Sequence, residues 1–197
     1  MIPKLKIQTP FCFLILLIKR LWPNRIKKLL KSLTQKSCYT KYFKNKTTGL
    51  KLQEMTNDNT SLRRFATAQE HSFENALTEI KNGRKTGHWM WYIFPQIYGL
   101  GFSETSKLYA LKSQEETLRY LHDPVLGERL IHISKELLKL QTDDAYQIFG
   151  SPDDLKLRSS MTLFAVLPGA DPVFQAVLDK FFNGEKDQRT LELLKHE

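Results

Sequence analysis

The stretch Ser151-Pro152-Asp153-Asp154-Leu155-Lys156-Leu157-Arg158-Ser159-Ser160-Met161-Thr162-Leu163-Phe164 decides the fold class. Its opening is a helix-start signal. Proline has no N–H to waste in a first turn, and the acids there face the positive end of the helix dipole. Leu157, Met161, Phe164 and Val166 follow at helical intervals. The same signals recur on both sides. Toward the C-terminus, Asp171-Pro172 opens a helix carrying Phe174, Val177, Leu178 and Phe181, Asn183-Gly184 closes it, and residues 187–195 make a last one. Toward the N-terminus, Asp123-Pro124 opens a helix with Leu126, Leu130, Ile133, Leu137 and Leu140 on one stripe. Ser113-Gln114-Glu115-Glu116 reads as a capping box: the serine caps, and the glutamate three residues on reaches back. Its helix carries Leu118 and Leu121 and ends near His122.

Further upstream, residues 61–82 place Leu62, Phe65, Ala66, Phe73, Ala76, Leu77 and Ile80 at helical intervals, with Gly83 as the stop. Residues 88–94 are densely aromatic and halt at Pro95, because proline disfavours helix in the residue before it. Gly99 and Gly101 mark a loop into a helix through Lys107, Leu108 and Tyr109. No convincing alternating strand pattern follows residue 55. The expectation is an all-α fold: a compact orthogonal helical bundle of about six to eight helices over residues 55–197.

The formal charge of +9 divides unevenly. Residues 1–54 hold thirteen Lys or Arg against Glu54 alone, a net +12, while the rest holds seventeen basic and twenty acidic residues, a net −3. The domain thus lacks the general electrostatic footprint of a phosphate-backbone binder, and no nucleic-acid partner is expected for it. Cys12 and Cys38 both lie in the basic segment, so the domain carries no internal disulfide or thiolate zinc site. That suits a reducing, cytoplasmic setting.

Residues 1–54 read as a non-globular basic extension. The apolar run from Phe11 to Ile18 is too short to span a bilayer, and Lys19-Arg20 stands where a signal peptide would have its small-residue cleavage site. Trp22, Ile26, Leu29, Leu30 and Leu33 recur at helical spacing among basic residues, so residues 11–33 could lie on an anionic membrane surface. A start assigned too far upstream, with Met55 as the true first residue, accounts equally for the shift in charge and cysteine usage. Residues 34–54 read as a linker.

Three stretches are distinctive in order and spacing: His88-Trp89-Met90-Trp91-Tyr92-Ile93-Phe94-Pro95-Gln96, Asp123-Pro124-Val125-Leu126-Gly127-Glu128-Arg129-Leu130, and residues 148–164, which open on Ile148-Phe149-Gly150. In these the chain, over about residues 62–194, resembles the bacterial family known as domain of unknown function 1810, some members of which carry a calpastatin label. The resemblance implies a mainly helical single-domain protein and brings no established catalytic residues.

Two constellations could carry chemistry. In the aromatic segment, Trp89 and Trp91 are two residues apart and cannot share a helix face, so one belongs to the core and the other to a surface. Near Trp91, the residues His88, Gln96, Ser103, Ser106 and Tyr109 surround a glycine-bracketed loop of a kind that binds anions or sugars. The plainer alternative is that the aromatics are simply core. The second constellation is Asp153, Lys156 and Ser159, on one helical face. Acids at a helix start are also explained by the dipole, which favours the ionised carboxylate. The histidines show no metal-ligand spacing, no metal site is expected, and nucleophile elbow, Walker loop and cysteine nucleophile are all missing from residues 55–197.

The functional expectation is a domain that binds or hydrolyses a small nucleotide-like ligand of the ADP-ribose or NAD-derivative class, with the cofactor left unknown. The alternative is a non-catalytic protein-interaction module with an exposed aromatic patch. A concave polar and aromatic cleft favours the first, and a flat apolar patch the second.

Overall fold

The structure, a computed structural model, describes residues 55–196 of the chain, with side chains from residue 62 onward. The basic extension, its proposed membrane-surface helix at 11–33 and the linker lie outside the described residues. Among the described residues ten helices follow one another: α1 (Met55–Glu70), α2 (Phe73–Lys81), α3 (Met90–Ile93), α4 (Glu104–Leu108), α5 (Gln114–His122), α6 (Leu126–Lys139), α7 (Ala145–Phe149), α8 (Asp153–Ala165), α9 (Val173–Phe182) and α10 (Gln188–Lys195). Three of these, α3, α4 and α7, are single turns, so seven longer helices carry the all-α fold that the spacing predicts. Among the described residues the only β feature is an isolated parallel bridge between Ile97 and Leu111. None of the described helices is long and apolar enough to cross a membrane.

The helix starts are made by the signals in the sequence. The Asp123 carboxylate accepts from the backbone N–H of Val125 and Leu126, both at 2.9 Å, and Asp171 accepts from Val173 at 3.0 Å. Ser113 accepts from Glu116 N at 3.1 Å. The returning arm of that capping box is displaced by one residue: Glu116 accepts from Lys112 N at 2.7 Å, because its other oxygen is drawn to Arg64. At α8 the sequence reading needs adjustment. Ser151 makes no capping bond. The helix starts on backbone bonds from Asp154 N to the Gly150 carbonyl and from Lys156 N to the Pro152 carbonyl, after a cis Ser151–Pro152 peptide.

Two helices organise the core. The stripe Leu126, Leu130, Ile133 and Leu137 of α6 is buried against α2, α5 and α9. Helix α8 packs on α7, α9 and α10, and its buried residues run without a break from Ser159 to Phe164. A helix buried nearly all round must satisfy its polar groups internally. Thr162 Oγ1 accepts from Asp187 N at 2.9 Å, and Arg158 clips the carbonyls of Glu185 and Lys186. Thr162 and Arg158 therefore tie α8 to the segment before α10, whereas the fully buried Ser160 hydroxyl has no hydrogen-bond partner among the described residues.

Candidate functional site

Segment 96–98 is pinned beside Leu111 by two backbone bonds, Leu111 N to the Gln96 carbonyl at 2.9 Å and Tyr98 N to the Leu111 carbonyl at 2.8 Å. The chain then folds back over the first turn of α4. A Cβ on Gly101 would stand 2.5 Å from Ser106 Cβ, so only glycine lets the loop lie there. Between this loop, α3 and the start of α8 opens a cleft of about 440 Å³. Trp91, Gln96, Ser103, Ser106, Lys156 and Ser159 line it, together with Leu100, Gly101, Phe102, Pro152 and Leu155.

Six of the nine residues singled out by sequence thus share one concave surface. The other three do not line it. His88 is exposed on the turn before α3, and Tyr109 packs its ring 5.2 Å from Tyr92 and 5.9 Å from Phe65. Asp153 stands behind Lys156, as its ion-pair partner. The two tryptophans divide as their spacing requires. Trp89 is 2 % exposed and donates its indole N–H to Glu79 at 2.8 Å, whereas Trp91 is half-buried in the cleft wall.

The cleft's polar groups differ in what they have left to offer. Ser106 donates its hydroxyl to the Ser103 carbonyl at 2.7 Å, and Ser103 Oγ receives Ser106 N and lies 3.0 Å from Ser106 Oγ. Ser159 donates to the Leu155 carbonyl at 3.1 Å. These hydroxyl hydrogens are used locally, so the serines retain mainly acceptor capacity. The Gln96 amide and the Trp91 indole N–H make no hydrogen bond to any described residue. Lys156 Nζ lies 4.6 Å from the centre of the Trp91 ring and 2.6 Å from Asp153 Oδ1.

Asp153 is shared. Its other oxygen, Oδ2, is 2.7 Å from Lys85 Nζ, which also donates to the Gly87 carbonyl at 2.6 Å. Burial pushes the Asp153 carboxyl up, but hydrogen bonds from Lys156 and Lys85, with their charges, more than offset this and hold it below its ordinary value of 3.8. The lowering comes from the two ammonium groups. Glu79 behaves alike: burial raises it, while bonds from Gly87, Thr86 and Trp89 outweigh that and keep it below its ordinary value.

A pH dependence follows from Asp153. A depressed folded pKa means that the unfolded chain binds the proton more tightly. The stabilisation is complete above 3.8, the ordinary value, and is lost as pH falls through the lower folded value. Asp153→Asn should therefore be less stable than the natural chain at about pH 7, with the deficit shrinking by about pH 3. Urea midpoints at both values check this. A deficit that does not change with pH would show that the carboxylate is not paired in solution.

Sequence reasoning missed Lys85, which carried no local signal beyond belonging to a basic turn, and missed Phe102 and Leu155 on the cleft wall. Phe102 is 87 % exposed and Leu155 is 55 % exposed, more than a buried role would allow. Among the described residues, no group of three His, Cys, Asp or Glu is placed to hold a metal ion.

The family model described as protein of unknown function (DUF1810) matches residues 59–194. Among solved structures, the chain is similar to the conserved hypothetical protein Rv1873 from Mycobacterium tuberculosis, with 44 % identity and a TM-score of 0.67. The likeness covers 68 % of this chain and 96 % of that one. No curated protein matches the chain.

Proposed function

The chain belongs to the family of proteins of unknown function designated DUF1810, and for this member we propose that the cleft binds a small nucleotide-like ligand of the ADP-ribose or NAD-derivative class. The observation that carries the reading is the set of donors with room for a ligand in one concave site. The Lys156 ammonium and the Gln96 amide stand beside an indole, in a volume suited to a small molecule. Such donors call for a ligand rich in acceptors, and the serine oxygens can receive a sugar hydroxyl. Binding is favoured over hydrolysis. The cleft wall carries no carboxylate or imidazole, and Asp153 behind it is held as a weak base by two ammonium groups.

The test is thermal unfolding of the full chain with ADP-ribose, NAD, AMP and adenosine. A ligand at 100 times its Kd adds about 2.7 kcal/mol, a shift on the order of 5–10 °C. No shift with any of the four would sink the reading.

A second reading rests on Phe102 and Leu155, whose exposure on the cleft wall suits an apolar side chain of a protein partner. Phe102→Ser separates the two. It would abolish docking of a partner while leaving the phosphate-bearing part of a small ligand in place.

A further inference from the structure

We infer that Lys156 is the anion-binding group of the cleft, that it recognises a phosphoryl group, and that Lys85, outside the cleft, is the positioning residue that makes it one. This rests on the small-ligand reading above and names the part of the ligand that is held. The observation is a count of charges. One carboxylate, Asp153, stands between two ammonium groups at 2.6 Å and 2.7 Å. The three side chains are only 15 %, 20 % and 8 % exposed for Asp153, Lys156 and Lys85. An isolated Asp–Lys pair would be neutral. The triad keeps a full positive charge largely out of water, a costly arrangement unless a counter-ion completes it.

The excess falls on Lys156. Lys85 is spent on Asp153 Oδ2 and the Gly87 carbonyl, whereas Lys156 makes one hydrogen bond, to Asp153, stands 4.6 Å from the centre of the Trp91 ring and lines the cleft. Glu79, the carboxylate that holds the turn at 86–89, pairs with neither lysine. Its Oε2 accepts from Thr86 N, Gly87 N and the Trp89 indole. The cleft wall carries no guanidinium for the planar two-bond grip that suits a carboxylate, and a lysine point charge suits a tetrahedral oxyanion.

The test titrates the full chain with inorganic pyrophosphate calorimetrically at low ionic strength, with ADP-ribose and adenosine alongside. Pyrophosphate should bind the natural chain, and Lys156→Met should weaken it about tenfold to a hundredfold. Lys85→Met should weaken it about tenfold with far-UV circular dichroism unchanged, and Lys85→Arg should keep it within about threefold, since the charge is what matters. Equal losses in Lys85→Met and Lys85→Arg would make Lys85 merely structural and overturn the positioning role. Pyrophosphate binding untouched by Lys156→Met would overturn the assignment of the anion site. If adenosine and ADP-ribose bind equally and pyrophosphate does not, the small-ligand reading survives and this inference fails. If pyrophosphate binds and the nucleoside part adds nothing, this inference stands and the nucleotide class fails.

Discussion

Gly127→Ala is expected to destabilise the domain by about 3–5 kcal/mol, lowering its melting temperature by on the order of 10 °C or more. Gly127 lies in the first turn of α6, buried where that turn meets the end of α5. A Cβ built there would stand 2.0 Å from the Leu121 carbonyl oxygen and 2.8 Å from its carbon. Both are backbone atoms, so no side-chain rotation relieves the clash, and α5 and α6 would have to separate. Separation is costly because α6 is the helix on which α2, α5 and α9 all pack. The substitution would otherwise be favourable, since alanine is the better helix former. Glu128→Ala, one residue on and exposed, is the control and should change stability by less than about 0.5 kcal/mol. A Gly127→Ala chain that melts with the natural one would mean that the α5–α6 corner yields in solution.

Arg64→Met should cost about 3–5 kcal/mol, for a different reason. Arg64 Nη1 is 2.9 Å from Glu116 Oε1 and Nη2 donates to the Ala110 carbonyl at 2.8 Å, joining α1 to the start of α5. The Glu116 side chain is only 4 % exposed. Removing the arginine takes the ion-pair partner at 2.9 Å from a carboxylate that is largely out of water, and that penalty exceeds the net worth of the pair itself. Pairing Arg64→Met with Glu116→Gln removes the buried charge while keeping an acceptor for Lys112 N, so the double variant should recover much of the loss. Chemical unfolding of the two single variants and the double closes the cycle. A double variant no more stable than Arg64→Met alone would show that packing of the arginine stem, and not charge, was lost.

Both predictions concern the frame that holds the cleft, and both rest on features that escaped sequence reading. What was legible was local. The caps of Asp123, Asp171, Ser113 and Asp187 act within four residues of themselves, so composition and spacing suffice to place them. The two-residue spacing predicts that Trp89 and Trp91 part, and they do, although Trp89 stands just before α3 and is held by its bond to Glu79. The pairing of Asp153 with Lys156 follows from their separation by three residues on one helix. Six of the nine chosen residues line one cleft, but their meeting there joins segments about fifty residues apart and is tertiary.

The rest depends on segments remote in sequence. Lys85 reaches Asp153 from the turn after α2, and its positive charge looked like ordinary surface until both lysines were seen on one carboxylate. Arg64 and Glu116 are 52 residues apart. His88 sits beside the aromatic run in sequence, yet the single-turn length of α3 leaves it on an exposed turn. The hydroxyls of Ser103 and Ser106 looked free for a ligand because sequence cannot show that they bond one another.

Helix identity and helix ends in this protein are properties of short stretches of chain, set by capping groups, proline, glycine and apolar period. The charge balance of the cleft, the close approach at Gly127 and the buried Arg64–Glu116 pair were decided by tertiary structure. Each is a distance between atoms that the chain brings together only when the helices pack, and electrostatic and steric energies depend on that distance and on the water excluded around it.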